Sequence, residues 1–359
     1  MRVLGLDIGG ANIKASDADG HTTSMPFAMW QQKEELPAAL RALAAEQNSP
    51  EMVALTLTAE LADCFQTKAE GVEFVINAVE ESFKDVPLRV WLTSGEFAEP
   101  VDARELPTLV SAANWQALAT WAGRAVPDGP ALLIDMGSTT TDIIPLLDGF
   151  PIPTGLNDSE RLMSGELVYT GAARTPVCAI VDTVPLRGEQ CPVAAEVFAT
   201  VVDAFLLAGM INEDPDDSNT ADGRPLTRPC SRNRLAHMVC SDSTELSGQD
   251  LKLMAEHVVD VQCRHLRAAI SQVVHGLATV MEGTDQRCLD IEKPSVIISG
   301  SGAFVVEQLL QHADAFPFAE RLSLSDMFRH PISESACAFA VARLAHDRCR
   351  DDLLEPAAL

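Results

Sequence analysis

"LGLDIGGANIKAS", residues 4–16, is an apolar run that reaches Asp7, turns through Gly9 and Gly10, and resumes as a second strand-like stretch. "LLIDMGSTTTDIIPL", residues 132–146, repeats the device, with Asp135, then Gly137, then hydroxyl residues leading into another apolar stretch. Short apolar runs on either side of a glycine-bearing turn read as β-hairpins, with strands over 2–7 and 11–17, and again over 131–135 and 140–147. Each hairpin leads to an Asp-Gly turn, at residues 19–20 and 148–149. The spacing from first Asp to turn glycine, 7 to 20 and 135 to 149, differs by one residue, which a loop absorbs. A device built twice predicts a fold built twice: two similar α/β lobes with a cleft between them.

Working outward, a third strand is expected near 22–27, a helix over about 34–47, a buried strand over 52–58 and a helix over 69–83 with Val72, Val75, Ile76 and Val79 on one face. A strand over 88–93 and a helix over 115–126 complete the first half. "PDGP", residues 127–130, breaks the chain and marks the boundary. In the second half, helices are expected over 159–173, 193–208 and, longest, 247–282. A strand over 295–300, a helix over 303–312 and a last helix over about 334–348 follow. Residues 211–232 form a polar, proline-broken excursion, readable as a lid or as an inert loop. Its acidic residues lack the glycine and the final glutamate of a calcium loop. His257 and His265, on the long helix, have no zinc-ligand spacing.

At 359 residues, two domains are the default. The formal net charge of −26 repels nucleic acid phosphates and anionic lipid surfaces, which excludes both as expected partners. No apolar run is long enough to span a membrane. Nine cysteines without a CxxC pair, and a first strand that begins at once, are expected to be reduced thiols, mostly buried, in a cytoplasmic protein. An oligomer is compatible with the sequence.

The hairpins suit phosphate. Glycine lets the backbone approach a ligand, and consecutive N–H groups converge on phosphate oxygens. Gly9, Gly10, Asn12 and Lys14 in the first copy, and Gly137, Ser138, Thr139 and Thr140 in the second, are the candidate phosphate-binding residues. Lys14 either supplies positive charge there or faces outward on its strand. Asp7, Asp135 and Asp142 are acidic, so their expected role is to hold Mg2+, directly or through water. A tight turn with a solvated Asp would explain one copy; two copies favour phosphate.

Together with "VIISGSGAF", residues 296–304, these stretches resemble the phosphate-1, phosphate-2 and adenosine loops of the sugar kinase, Hsp70 and actin superfamily. That resemblance implies a two-lobed α/β fold with duplicated ribonuclease H-like lobes. Residues 1–128 would form the first lobe, 129–333 the second, and 334–359 a C-terminal helix returning toward the first. Ser299, Gly300, Ser301 and Gly302 would be the adenosine-type loop. A narrower resemblance rests on "DIGGANIKA" (7–15), "LTAELADCF" (57–65), "SAANWQALA" (111–119), "GELVYTGAARTPV" (165–177) and "TADGRPLTR" (220–228). These segments are similar to hydantoinase/oxoprolinase-related proteins of tetrahydromethanopterin-linked C1-transfer pathways.

The narrower resemblance implies a transferase of methanofuran or methylofuran biosynthesis. Such an enzyme condenses an aminomethylfuran diphosphate with the phenol of tyramine or γ-glutamyltyramine and releases diphosphate. Mg2+ is the implied cofactor; ATP is compatible but not required. Many sugar kinases carry Thr in the first loop where this chain has Ala11, a departure that suits a diphosphate leaving group better than phosphoryl transfer. Glu60, at the cleft end of a strand, is the first candidate for the base that takes the phenol proton, with Glu166 and Glu96 as alternatives. For each, the plainer reading is an exposed structural carboxylate. Asn114 and Trp115 are candidates to meet a furan or phenol ring, although Trp115 also reads as a half-buried packing residue. Arg174 is a candidate for an anionic group of the substrate, with a surface ion pair as the alternative, and Arg224, in the excursion, is a further substrate candidate. The rival readings are an ATP-dependent kinase or an oxoprolinase-like amidohydrolase and, in another class, a nucleotide-switching interaction protein like Hsp70 or actin.

Overall fold

The protein is described here by a computed structural model, which covers residues 1–46, 50–284, 293–311, 318–327, 332 and 335–354. Cys288, and residues 47, 312 and 334 at the ends of expected helices, lie outside the described residues.

The first half contributes strands β1 (Val3–Gly9), β2 (Asn12–Asp17), β3 (Thr22–Pro26), β4 (Met52–Thr58), β5 (Leu88–Trp91) and β6 (Phe97–Ala98). The second contributes β7 (Pro130–Met136), β8 (Thr141–Leu147), β9 (Phe150–Pro151), β10 (Leu167–Val168), a separate hairpin of β11 (Thr183–Leu186) and β12 (Glu189–Pro192), then β13 (Ser295–Ser299) and β14 (Arg321–Ser323). The sheets run β3-β2-β1-β4-β5-β6 and β10-β8-β7-β13-β14, with β9 on the far end of β8. In each, an antiparallel hairpin leads and its first strand then pairs in parallel with a later strand, β1 with β4 and β7 with β13. The same wiring twice is the two-lobed α/β fold that the superfamily resemblance implies. Strands β1 and β7 are apolar almost throughout because each lies mid-sheet with both faces covered.

One face of the first sheet packs on the helices Leu36–Glu46 and Lys68–Ser82. One face of the second packs on Val201–Ala208, Arg228–His237 and the long helix Gly248–Thr284, whose Leu251, Met254, Val258 and Leu266 are buried. Between the sheets lie two more helices, Asn114–Ala122 and Ala336–Leu354. Ala113, Ala117, Val341 and Ala342 face the first sheet, whereas Trp115, Leu118, Cys337 and Ala340 face the second. These helices form the wall shared by both halves.

Two expected helices are shorter than the sequence suggests. The helix expected over 159–173 is only Asp158–Ser164, ended by Gly165 at φ +78°; the chain then adds β10 to the edge of β8. The helix expected over 193–208 begins at Val201, where the Asp203 carboxylate accepts from the Thr200 N–H at 3.2 Å. In both cases apolar spacing continues through residues that pair or cap instead. The expectation of mostly buried cysteines also fails: of the eight described, only Cys263 and Cys337 are buried. The excursion 211–232 is held by Asp214, Asp217 and Asp222, each accepting from nearby backbone N–H groups, and its end enters the helix Arg228–His237.

Candidate active site

The hairpin registers place the candidate residues. Ile8 pairs with Ile13, and Met136 with Thr141, so residues 9–12 and 137–140 are the turns. Across the strands, Asp7 stands opposite Lys14, and Asp135 opposite Asp142. Lys14 and Asp142 are therefore equivalent positions of the two copies, one carrying a cation and the other an acid. Burial pushes the Asp7 carboxyl up, and the Lys14 charge opposes the shift. Burial, and next the Asp142 charge, push Asp135 up to about 6, with Lys14 again pulling down and Asp7 adding repulsion. Lys14 thus lies within electrostatic reach of acids of both hairpins. Cys337, at the start of the last helix, is buried, its thiol pushed well up by burial and by Asp7 and Asp135.

The carboxylates divide their work. Asp142 is tied to the buried guanidinium of Arg161 at 2.8 Å. Among the described residues, no three His, Cys, Asp or Glu side chains converge on one ion position. Arg161 engages Asp142, so that carboxylate is the least free of the three to meet a cation, directly or through water. Asp7 and Asp135 remain, and the Oδ1 of Asp7 is buried with no hydrogen-bond partner. Mg2+ keeps several waters and needs one or two carboxylates, so this donor pair fits it.

Two more segments close on the second turn. A Cβ at Gly300, which lies at φ +89°, would stand 2.3 Å from the Met136 carbonyl, and the Gly302 N–H donates to that carbonyl at 2.8 Å. Ser299 is buried beside Asp135, and Ser301 is exposed. On the other side, the Ala172 N–H donates to Gly137, and the Ala173 and Arg174 N–H groups to Ser138. A Cβ at Gly171 would meet the Thr139 nitrogen at 2.5 Å, so this approach excludes any side chain. A Cβ at Gly10, by contrast, would project into open space, room in which a ligand can approach the backbone.

A second centre forms around Glu60. Near the end of β4, Leu57 bridges Ser111 and brings "LTAELADCF" beside "SAANWQALA". Glu60 is buried, correcting the exposed-carboxylate reading, and its Oε2 has no partner. Burial raises its pKa to about 7, against the pull of backbone N–H groups, Ala112 among them, and of Lys68. Ala112 holds a left-handed φ of +50° there. Trp115 is 2% exposed, and the Arg161 guanidinium lies 4.0 Å from its ring centroid. That corrects both the half-buried reading and the idea of a free aromatic face, since Arg161 covers it. The Asn114 carboxamide oxygen accepts from the Trp115 N–H at 2.8 Å.

The remaining candidates have the following partners. Glu166 is buried, and both its oxygens accept backbone N–H groups, from Thr154 at 2.6 Å and Gly155 at 3.1 Å; it shapes that loop. Glu96 is exposed and paired with Arg348 at 2.7 Å. Arg224 is exposed and pairs with Asp222 of its own loop at 3.5 Å. Arg174 is exposed, 5.7 Å from the ring centroid of Trp30. Trp30 follows Met29, whose N–H donates to Gly10, so this contact links the segments behind the two turns. Arg161 and Trp30 escaped the sequence reading. Neither lies in a motif, and their partners are brought in only by folding.

Residues 51–348 match the hydantoinase/oxoprolinase family. A protein of Methanocaldococcus jannaschii called (4-{4-[2-(gamma-L-glutamylamino)ethyl]phenoxymethyl}furan-2-yl)methanamine synthase is 32% identical over 347 residues, spanning 96% of this chain and 97% of its own. A synthase of the same name from Methanococcus vannielii is 27% identical over 217 residues, 60% of this chain and 91% of its own. Among solved structures, nucleotide-free acetone carboxylase has a TM-score of 0.52 at 12% identity, over 95% of this chain and 70% of its own, a likeness of fold alone. Matched over most of its length by the family, and aligned nearly end to end with one of these synthases, the chain belongs to the hydantoinase/oxoprolinase family.

Proposed function

We propose that this protein is a transferase of methanofuran or methylofuran biosynthesis, joining an aminomethylfuran diphosphate to a phenol and releasing diphosphate. The observation that carries the reading is the 32% identity to the M. jannaschii synthase across 96% of this chain and 97% of that one. That relative's product, by its name, contains a γ-glutamylated phenoxyethylamine, so γ-glutamyltyramine is the favoured acceptor and tyramine the alternative.

In this reading the bond between the furfuryl carbon and diphosphate breaks, and its electron pair leaves on the diphosphate oxygen. The phenol oxygen forms the new C–O bond, and its proton passes to Glu60. The furan oxygen spreads positive charge at the reacting carbon, so stabilising the leaving group lowers the barrier. Backbone N–H groups of the turns at 9–12 and 137–140, with Lys14, hold the diphosphate. Asp7 and Asp135 would hold Mg2+, which would supply charge to neutralise the departing diphosphate. Glu60 carries an unpartnered oxygen and a pKa near 7, which suits a base at neutral pH. A phenol of pKa about 10 needs no stronger one once the C–O bond is forming.

The loop at Ser299–Gly302, pressed on the second turn, favours one rival: an ATP-dependent kinase or amidohydrolase. One experiment separates them. The protein is incubated with Mg2+ and either a furfuryl diphosphate plus γ-glutamyltyramine or tyramine, or ATP plus the same acceptors, and the products are identified by mass spectrometry. The expected result is an aryl ether and diphosphate only when both partners are present. ADP formation without any ether overturns the transferase reading.

A further inference from the structure

The loop that carries Glu60 runs into the helix Lys68–Ser82, whose first turn lies back on it: a Cβ at Gly71 would stand 2.6 Å from the Glu60 Cα. Lys68 opens that helix, and Asp158 opens the helix Asp158–Ser164 of the second half. Their side chains meet between the two halves at 3.0 Å, although ninety residues separate them. Both helix starts are fixed by side-chain caps. Thr67 accepts from the Glu70 N–H, and Asn157 from the Glu160 N–H, each at 3.1 Å. A lysine in a first helical turn is opposed by the helix dipole, whereas an aspartate is favoured. Lys68 therefore sits where its own helix disfavours it, and its partner lies on the facing half.

We propose that Lys68 and Asp158 are positioning residues: their ion pair draws the two halves together beside Glu60 and sets the charge balance under which Glu60 accepts the phenol proton. This rests on the reading of Glu60 as the base. Lys68 on the following helix and Asp158 on the facing helix are the side-chain charges that act on Glu60, together with the Ala112 N–H. Lys68 favours the carboxylate and Asp158 opposes it. A pair that served packing alone would weaken activity alike when either member was removed. A pair that sets the charge balance has a signed signature instead.

The test is the pH dependence of kcat/KM for ether formation by the full chain. Lys68→Met is expected to move the acidic limb up by about one pH unit, and Asp158→Asn to move it down by about as much. The double variant should return toward the wild-type limb, and Lys68→Arg should leave the limb in place. Shifts of equal sign, or lowered rates on an unmoved limb, overturn the proposal. Glu60→Gln separates the two levels. If it abolishes turnover while the pair variants leave the limb unmoved, only this proposal fails. If it keeps both turnover and the acidic limb, the assignment of the base fails, and this proposal with it.

Discussion

Glu60 is a carboxylate whose folded pKa, near 7, lies well above its ordinary value of 4.5 because burial penalises its charge. The folded protein holds that proton where the unfolded chain has released it. Glu60 thus favours the fold at acid pH, and its contribution is lost as pH rises from about 4.5 through about 7. The difference is on the order of 3 kcal/mol. Glu60→Gln should therefore unfold at higher denaturant than wild type at pH 8 and differ little at pH 4, while losing at least a hundredfold in kcat, the order expected for a general base. Chemical denaturation at the two pH values and initial rates check both halves. Asp135 carries a different prediction. Asp135→Asn should abolish Mg2+-dependent turnover and leave the circular dichroism spectrum unchanged; full activity would count against Asp135 as a metal ligand.

Elements are where sequence reading was strongest and also where it overran. The two hairpins were legible because Asp, glycine and apolar strand recur at matching spacing, and the registers of β1 with β2 and β7 with β8 put their turns at equivalent positions. The helices at Asp158–Ser164 and Val201–Ala208 were overextended because apolar spacing does not register a left-handed glycine or a cap. Around the second of these lies a buried ion cluster: Arg234 contacts Asp203 at 2.7 Å and Asp222 at 2.8 Å, with Asp203 wholly inaccessible. Nothing local in "TADGRPLTR" announced that Asp222 would brace a helix through Arg234. Arg234→Met leaves the Asp203 charge unbalanced and should cost about 3–5 kcal/mol of stability, measurable by urea unfolding. A loss below about 1 kcal/mol, the range of a surface pair, would show that the cluster does not hold the excursion.

For the whole molecule, the decisive joint is the last helix against the first sheet. A Cβ at Gly5 would stand 2.0 Å from the Ala338 carbonyl and 2.9 Å from the Ala342 Cβ, so β1 and the helix touch backbone to backbone. Gly5→Val should therefore destabilise by more than the roughly 1–3 kcal/mol typical of an overpacked core, because backbone cannot move aside as a rotamer does. Thermal unfolding, with proteolytic release of residues 336–354, would register it. Duplication, fold class and the paired hairpin turns followed from sequence alone, because each is written in local spacing, and local spacing fixes hydrogen-bonded turns. The joint work of the site was decided only in three dimensions. That Asp142 is spent on Arg161, that Arg161 covers Trp115, and that Lys68 reaches Asp158 depend on residues far apart in the chain. Their charges and faces are set by burial and by neighbours that no periodicity encodes.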